Sequence, residues 1–211
     1  IDGLDGLAAG VVAIGSSAFF IYAYLLSYEQ ELVRATGASL ITVATVGICL
    51  GFLPYNLYPA RMFMGDSGSM LLGFLLAASS ISLTGQFDPS KLSDFGTNAL
   101  AAYLPLLVPL AAVALPFLDL VMAYIRRTVA GKLWYQADKQ HLHHRMLKLG
   151  HSHRRAVALL WLWSAVIAYG AVLIGLFPSL AGLLAWLLAM VIAAMLTWGP
   201  RAITRVKQAH G

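Results

Sequence analysis

Residues 156–177 read AVALLWLWSAVIAYGAVLIGLF, twenty-two positions without a charged side chain. An α-helix needs about 20 predominantly apolar residues to cross the hydrocarbon core of a bilayer. This stretch is therefore read as a transmembrane helix. After the break Phe177-Pro178-Ser179 a second apolar run follows, from 180 to 198. Working outward, four further stretches pass the same test, at about 7–27, 37–55, 68–85 and 99–124. Composition agrees: 60% of the 211 residues are hydrophobic and 11% are charged, against about 25% charged in a soluble domain. A water-soluble globule is excluded, as are disordered, collagenous and disulfide-stapled chains. The single cysteine, Cys49, cannot form an intrachain disulfide. The expected fold is an all-α polytopic integral membrane protein, with six transmembrane helices in one membrane domain over residues 1–211.

Helix-end punctuation bounds the spans. Gly37 and Ser39 open the second, Pro54 and Asn56 close it, and Gly68 opens the third. Pro105, Pro109 and Pro116 fall inside the fourth, where kinks are expected. Trp134, Trp161, Trp163, Trp186 and Trp198 lie near span ends and are read as interface anchors. The chain begins at Ile1, with neither an initiator Met nor a signal peptide, and reads as a fragment.

Lys and Arg accumulate in cytoplasmic loops, and that bias orients the bundle. Residues 126–155 hold Arg126, Arg127, Lys132, Lys139, Arg145, Lys148, Arg154 and Arg155. Placing this loop inside puts the first residues, the 56–67 loop and the C-terminal tail on the same side. Twelve basic residues then face the cytoplasm, and only Arg34 and Lys91 lie opposite. The polar clusters with chemical potential share that cytoplasmic face.

Three clusters stand out. Asp66 lies in Met64-Gly65-Asp66-Ser67-Gly68-Ser69, directly before an apolar helix. There Ser67 or Ser69 can cap the helix while its free N–H groups face an anion, or the carboxylate can hold Mg²⁺ together with substrate phosphates. A plain helix cap accounts for the motif equally well. Asp2 and Asp5 stand three residues apart, so on a helical turn they share one face; acids that complement a helix dipole are the bland alternative. The third cluster is Ala137-Asp138-Lys139-Gln140-His141-Leu142-His143-His144-Arg145, followed by His151 and His153. Its imidazoles and guanidinium suit a phosphorylated ligand. A zinc site is disfavoured by the spacing and by the lack of cysteine. Lys148, Arg154 and Arg155 read more simply as a headgroup-facing patch. Asn56 and Arg61 either touch a ligand or satisfy loop backbone. Asp119, within the fourth span, is a functional candidate or a buried partner of Arg126 or Arg127.

In combination, Asp2-Gly3-Leu4-Asp5-Gly6-Leu7-Ala8, Asn56 with Pro59-Ala60-Arg61-Met62-Phe63-Met64-Gly65-Asp66-Ser67-Gly68-Ser69, and the segment from Ala137 to Arg145 resemble the polyprenyl-phosphate N-acetylhexosamine-1-phosphate transferase family. The resemblance spans residue 1 to about 155, and beyond that it is one of hydropathy alone. It implies a bundle of ten or eleven helices, about five of them upstream of Ile1. It also implies an upstream aspartate pair without which this fragment alone is inactive. By resemblance, Asp2, Asp5 and Asp66 would be catalytic, with Asp66 a Mg²⁺ ligand (Mn²⁺ substituting) and Asp2 and Asp5 lining the nucleotide-sugar site. Asn56, Arg61, His141, His143, His144 and Arg145 would bind substrate.

The implied reaction is attack by a lipid phosphate on the sugar-linked phosphorus of a UDP-sugar, releasing UMP at the cytoplasmic face of a bacterial plasma membrane. The interrupted histidine run resembles the N-acetylglucosamine branch, the WecA/TagO type, and the surrounding wording resembles actinobacterial members, which would use decaprenyl phosphate in place of undecaprenyl phosphate. The implied partners are the UDP-sugar, the polyprenyl phosphate and the bilayer. A homo-oligomer is compatible, and nucleic acid is not expected. Two rivals remain. One is phospho-N-acetylmuramoyl-pentapeptide transferase, and the other is a non-catalytic transport subunit with polar residues spread through its spans.

Overall fold

The computed structural model describes residues 4–30, 35–84, 107–108, 110–111, 114–129, 152–177 and 179–209. Six long helices organise them: α1 (Leu7–Gln30), α2 (Ala35–Asn56), α3 (Gly65–Thr84), α4 (Ala114–Val129), α5 (His153–Leu176) and α6 (Leu180–Ala209). Five, all but α4, are long and apolar enough to cross a membrane. In hydrocarbon each backbone N–H and C=O must find its partner within the chain, and the α-helix meets that demand segment by segment. The chain is an all-α, multi-pass membrane protein.

The expectation of six crossings meets five among the described residues. The fourth predicted span, 99–124, lies largely outside them, and the described α4 is 16 residues long. Helices α1 and α5 run parallel, since Gly10 meets Trp161 and, farther along, Ser17 meets Tyr169. α3 leaves the end where both begin, and its 20 residues at about 1.5 Å each carry it roughly 30 Å away. Ser152, which caps the start of α5, stands again at the starting end. Pro105 and Pro109 lie outside the described residues, and Pro116 is the third of those described in α4.

α1 is the central helix. Its membrane-spanning window is 72% buried, against 17% for α6, and it packs against α2, α3 and α5. Near the starting end, Leu4, Leu7 and Val11 meet Val157 and Leu160 of α5, while Val12 and Ala13 meet Cys49, Leu72 and Leu76 of α2 and α3. Toward the far end, Phe19 and Tyr22 pack with Ala38, Leu83, Val108, Ala168 and Val172. The exposed apolar side chains of α6, among them Leu184, Leu188 and Met195, are those expected to face lipid.

The tryptophans depart from the interface-anchor expectation. Trp161 lies against Gly10 so closely that a Cβ there would run into the indole, and Trp186 of α6 occupies the corresponding place on Gly170 of α5. Trp163 Nε1 donates to Thr197 Oγ1 at 3.0 Å, and Trp186 Nε1 donates to the Val166 carbonyl at 3.0 Å. These three side chains join helix to helix. Glycine permits the approach, as small residues do at membrane helix interfaces generally. The side chains of Trp134 and Trp198 lie outside the described residues.

Candidate functional site

The starting ends of α1, α3 and α5 and the closing end of α2 meet through an eight-residue loop, 57–64. Asn56, the last residue of α2, is 3% exposed. Its Oδ1 accepts from the Gly6 N–H at 3.0 Å, and its Nδ2 donates to the Met62 carbonyl at 2.9 Å. One amide thereby fixes both the entry to α1 and the far side of the loop. Gly6 has φ +80°, a left-handed conformation that is costly for any residue with a Cβ. The Tyr55 carbonyl accepts from the Arg61 and Met62 N–H groups, at 2.8 and 3.1 Å, which folds the loop back over the end of α2.

Two further contacts hold this loop from either side. Asp5 Oδ2 accepts from the Ala60 N–H at 3.1 Å, tying the aspartate segment before α1 to the residue before Arg61. Arg154 Nε donates to the Tyr58 carbonyl at 3.1 Å, and the His153 ring stacks on Tyr58 with centroids 4.4 Å apart and planes 25° apart. A cavity of about 310 Å³ remains between these elements, lined by Asp5, Leu57, Tyr58, Arg154, Val157, Ala158 and Trp161.

Past the loop, Gly65 takes φ +66° and turns the chain into α3. Asp66 is the second residue of that helix and is exposed. The helix thus starts three residues before Gly68, where the sequence places it. Of the two serines expected to cap it, Ser69 turns its hydroxyl the other way and donates to the Asp66 carbonyl at 3.0 Å. The first turn of α3 combines an exposed carboxylate with N–H groups that carry partial positive charge. Magnesium takes one or two carboxylates together with phosphate oxygens and water, and the hard oxygen donor at Asp66 fits that chemistry. Among the described residues no three His, Cys, Asp or Glu side chains cluster as a self-sufficient metal cage.

Of the residues singled out from sequence, Asp5, Asn56, Arg61 and Asp66 therefore lie at one end of the bundle. Asn56 expresses the backbone-satisfying alternative, whereas Arg61 and Asp66 are exposed. Asp2, His141, His143, His144, Arg145 and His151 lie outside the described residues, as do the side chains of Asp119, Arg126 and Arg127. Sequence reasoning missed Tyr58, which carries no motif signal, and placed Arg154 with the headgroup-facing basic residues.

The family model "Glycosyl transferase family 4" matches residues 1–84, the stretch holding Asp5, the loop and Asp66. Over 173 residues the chain is 46% identical to a decaprenyl-phosphate N-acetylglucosaminephosphotransferase of Mycobacterium leprae, covering 81% of this chain and 43% of that protein. It is 35% identical over 174 residues to a probable undecaprenyl-phosphate N-acetylglucosaminyl 1-phosphate transferase of Bacillus subtilis, covering 82% and 43%. A phospho-N-acetylmuramoyl-pentapeptide-transferase of Desulforudis audaxviator is 32% identical over 167 residues, covering 79% and 42%. The chain spans less than half the length of these curated relatives.

Proposed function

Because this chain belongs to glycosyl transferase family 4, we propose that the protein transfers N-acetylglucosamine 1-phosphate from UDP-N-acetylglucosamine to a polyprenyl phosphate, undecaprenyl or decaprenyl, with release of UMP. A lipid phosphate oxygen bonds to the sugar-linked phosphorus, the bond between that phosphorus and the bridging oxygen breaks, and UMP leaves with the oxygen. Such a transfer asks for in-line positioning and charge neutralisation. The observation that carries the reading is the Asp5–Ala60 hydrogen bond. It joins the two family motifs within the described residues at one end of the bundle. In this reading that end faces the cytoplasm, where a soluble UDP-sugar meets a carrier whose tail stays in lipid.

Each residue has a separate task. Asp66, exposed at the first turn of α3, would hold Mg²⁺, and the adjacent N–H groups favour phosphate oxygens. A bound Mg²⁺ would neutralise charge on the pyrophosphate. Asp5 keeps the loop seated, and with Asp2 it borders the nucleotide-sugar site. Arg61 offers an exposed guanidinium fork, and His141, His143, His144 and Arg145 would contact the donor's phosphates or sugar. The choice of donor rests on the relatives: over comparable stretches, identity is 46% to the N-acetylglucosamine enzyme and 32% to the muramoyl-pentapeptide enzyme.

The test is UMP release by membranes containing the full-length protein, supplied with polyprenyl phosphate and one donor at a time. Release is expected with UDP-N-acetylglucosamine, and it should disappear with EDTA or in Asp66→Asn. Release with UDP-muramoyl-pentapeptide alone would transfer the assignment to the other branch. Absence of release with either donor would overturn it.

A further inference from the structure

His153 is the last of five histidines that fall within thirteen residues, and by sequence it belongs with the phosphate-binding candidates. Its surroundings speak against that use. Nε2 is buried and has no hydrogen-bond partner among the described residues, so this nitrogen is turned away from solvent. The ring presents its face to Tyr58 instead. The next residue, Arg154, directs Nε to the carbonyl of the same Tyr58. Two consecutive residues at the first turn of α5 thus grip one residue of the loop, one by ring stacking and one by a charge-assisted hydrogen bond.

The gripped loop is a short one. Arg61 lies three positions after Tyr58, and Asp66 eight positions after it. On its opposite side, Ala60 is held by Asp5. On the other flank of the grip, His153 follows the His141–Arg145 segment by eight residues. The contact therefore joins the loop leading to Asp66 to the helix that the histidine segment leads into. We propose that His153 and Arg154 are positioning residues that fix the start of α5 against the loop before α3 and thereby hold Arg61 and Asp66 in place for the transfer. The inference rests on the transferase reading. In it the His153 imidazole acts by its plane, without binding phosphate or moving a proton, and the Arg154 guanidinium acts on Tyr58 and not on lipid.

Because an aromatic plane is all that is asked of His153, phenylalanine should serve. The experiment measures kcat and KM for UDP-N-acetylglucosamine in membranes containing the full-length protein. His153→Ala and Arg154→Ala are expected to lower kcat about tenfold, within the roughly hundredfold that a 1 Å misplacement of reacting groups can cost, with KM changed less than about twofold. His153→Phe should restore most of kcat, and Arg154→Lys, which keeps a cationic donor, part of it. Arg155→Ala, which removes a neighbouring cation that makes no side-chain hydrogen bond to the loop among the described residues, should match wild type.

Failure of His153→Phe to restore kcat would assign the imidazole nitrogens a direct role and overturn the proposal. So would wild-type kcat in both alanine variants, or an Arg155→Ala loss equal to that of Arg154→Ala, which would point to charge alone. If an alanine variant does not accumulate in the membrane, the phenylalanine and lysine variants still decide between plane and nitrogen, and between grip and charge. Inactivity of the wild-type protein toward both donors would refute the transferase reading, whereas activity without the His153→Phe rescue refutes only the positioning role.

Discussion

Replacing Asn56 with alanine should destabilise the protein by about 2–4 kcal/mol, and the structure supplies each part of that figure. The substitution strands the Gly6 N–H in a buried contact. A buried donor without a partner costs about 1–3 kcal/mol. It also removes the bond to the Met62 carbonyl, worth about 1 kcal/mol net. The 3% exposure of Asn56 leaves little access for water to compensate. Asn56→Asp is a sharper probe, because the carboxylate still accepts from Gly6 but sets an oxygen against the Met62 carbonyl. It should cost at least as much as alanine. Denaturant titration of the purified protein in detergent micelles reads both values. A loss below about 0.5 kcal/mol in Asn56→Ala, the range of substitutions away from any such feature, would refute the reasoning and return Asn56 to the ligand-contact alternative.

Other consequences concern the helix contacts. Gly10→Ala and Gly170→Ala each place a methyl group into an indole and should destabilise by about 1–3 kcal/mol, the usual cost of overpacking, in the same titration. Trp163→Phe and Thr197→Val should each cost about 1 kcal/mol. The double variant should cost less than the two together, because the Nε1–Oγ1 bond is lost only once. Additive losses would show that the bond contributes nothing.

The helices were legible because hydropathy is a property of the local sequence. The 156–177 and 180–198 runs became α5 and α6 with starts displaced by no more than three residues, and the charge pattern placed Asp5, Asn56 and Asp66 at one end. What stayed hidden depends on residues far apart in the chain. Nothing local marks Trp161 as the neighbour of Gly10, 151 positions away, so a tryptophan near a span end read as an anchor. Asn56 resembled a ligand contact because its partners, Gly6 and Met62, come from two different segments. His153 joined the histidine cluster by adjacency, whereas its ring orientation is set by Tyr58 on another element. The start of α3 lay three residues early because the left-handed Gly65, and not Gly68, makes the turn.

The central claim is that the loop before α3 and the start of α5 share the cytoplasmic membrane face, opposite the α5–α6 turn. Single-cysteine variants test it most directly, since Cys49, the one cysteine in these 211 residues, is buried, and any cysteine elsewhere in the full-length protein is replaced by serine as well. In a Cys49→Ser background, Ser67→Cys and Arg155→Cys are expected to react with a membrane-impermeant maleimide only in inside-out vesicles, and Ser179→Cys only in right-side-out ones. Labelling of Ser67→Cys and Arg155→Cys from opposite sides, or of Ser179→Cys together with either, would contradict the account.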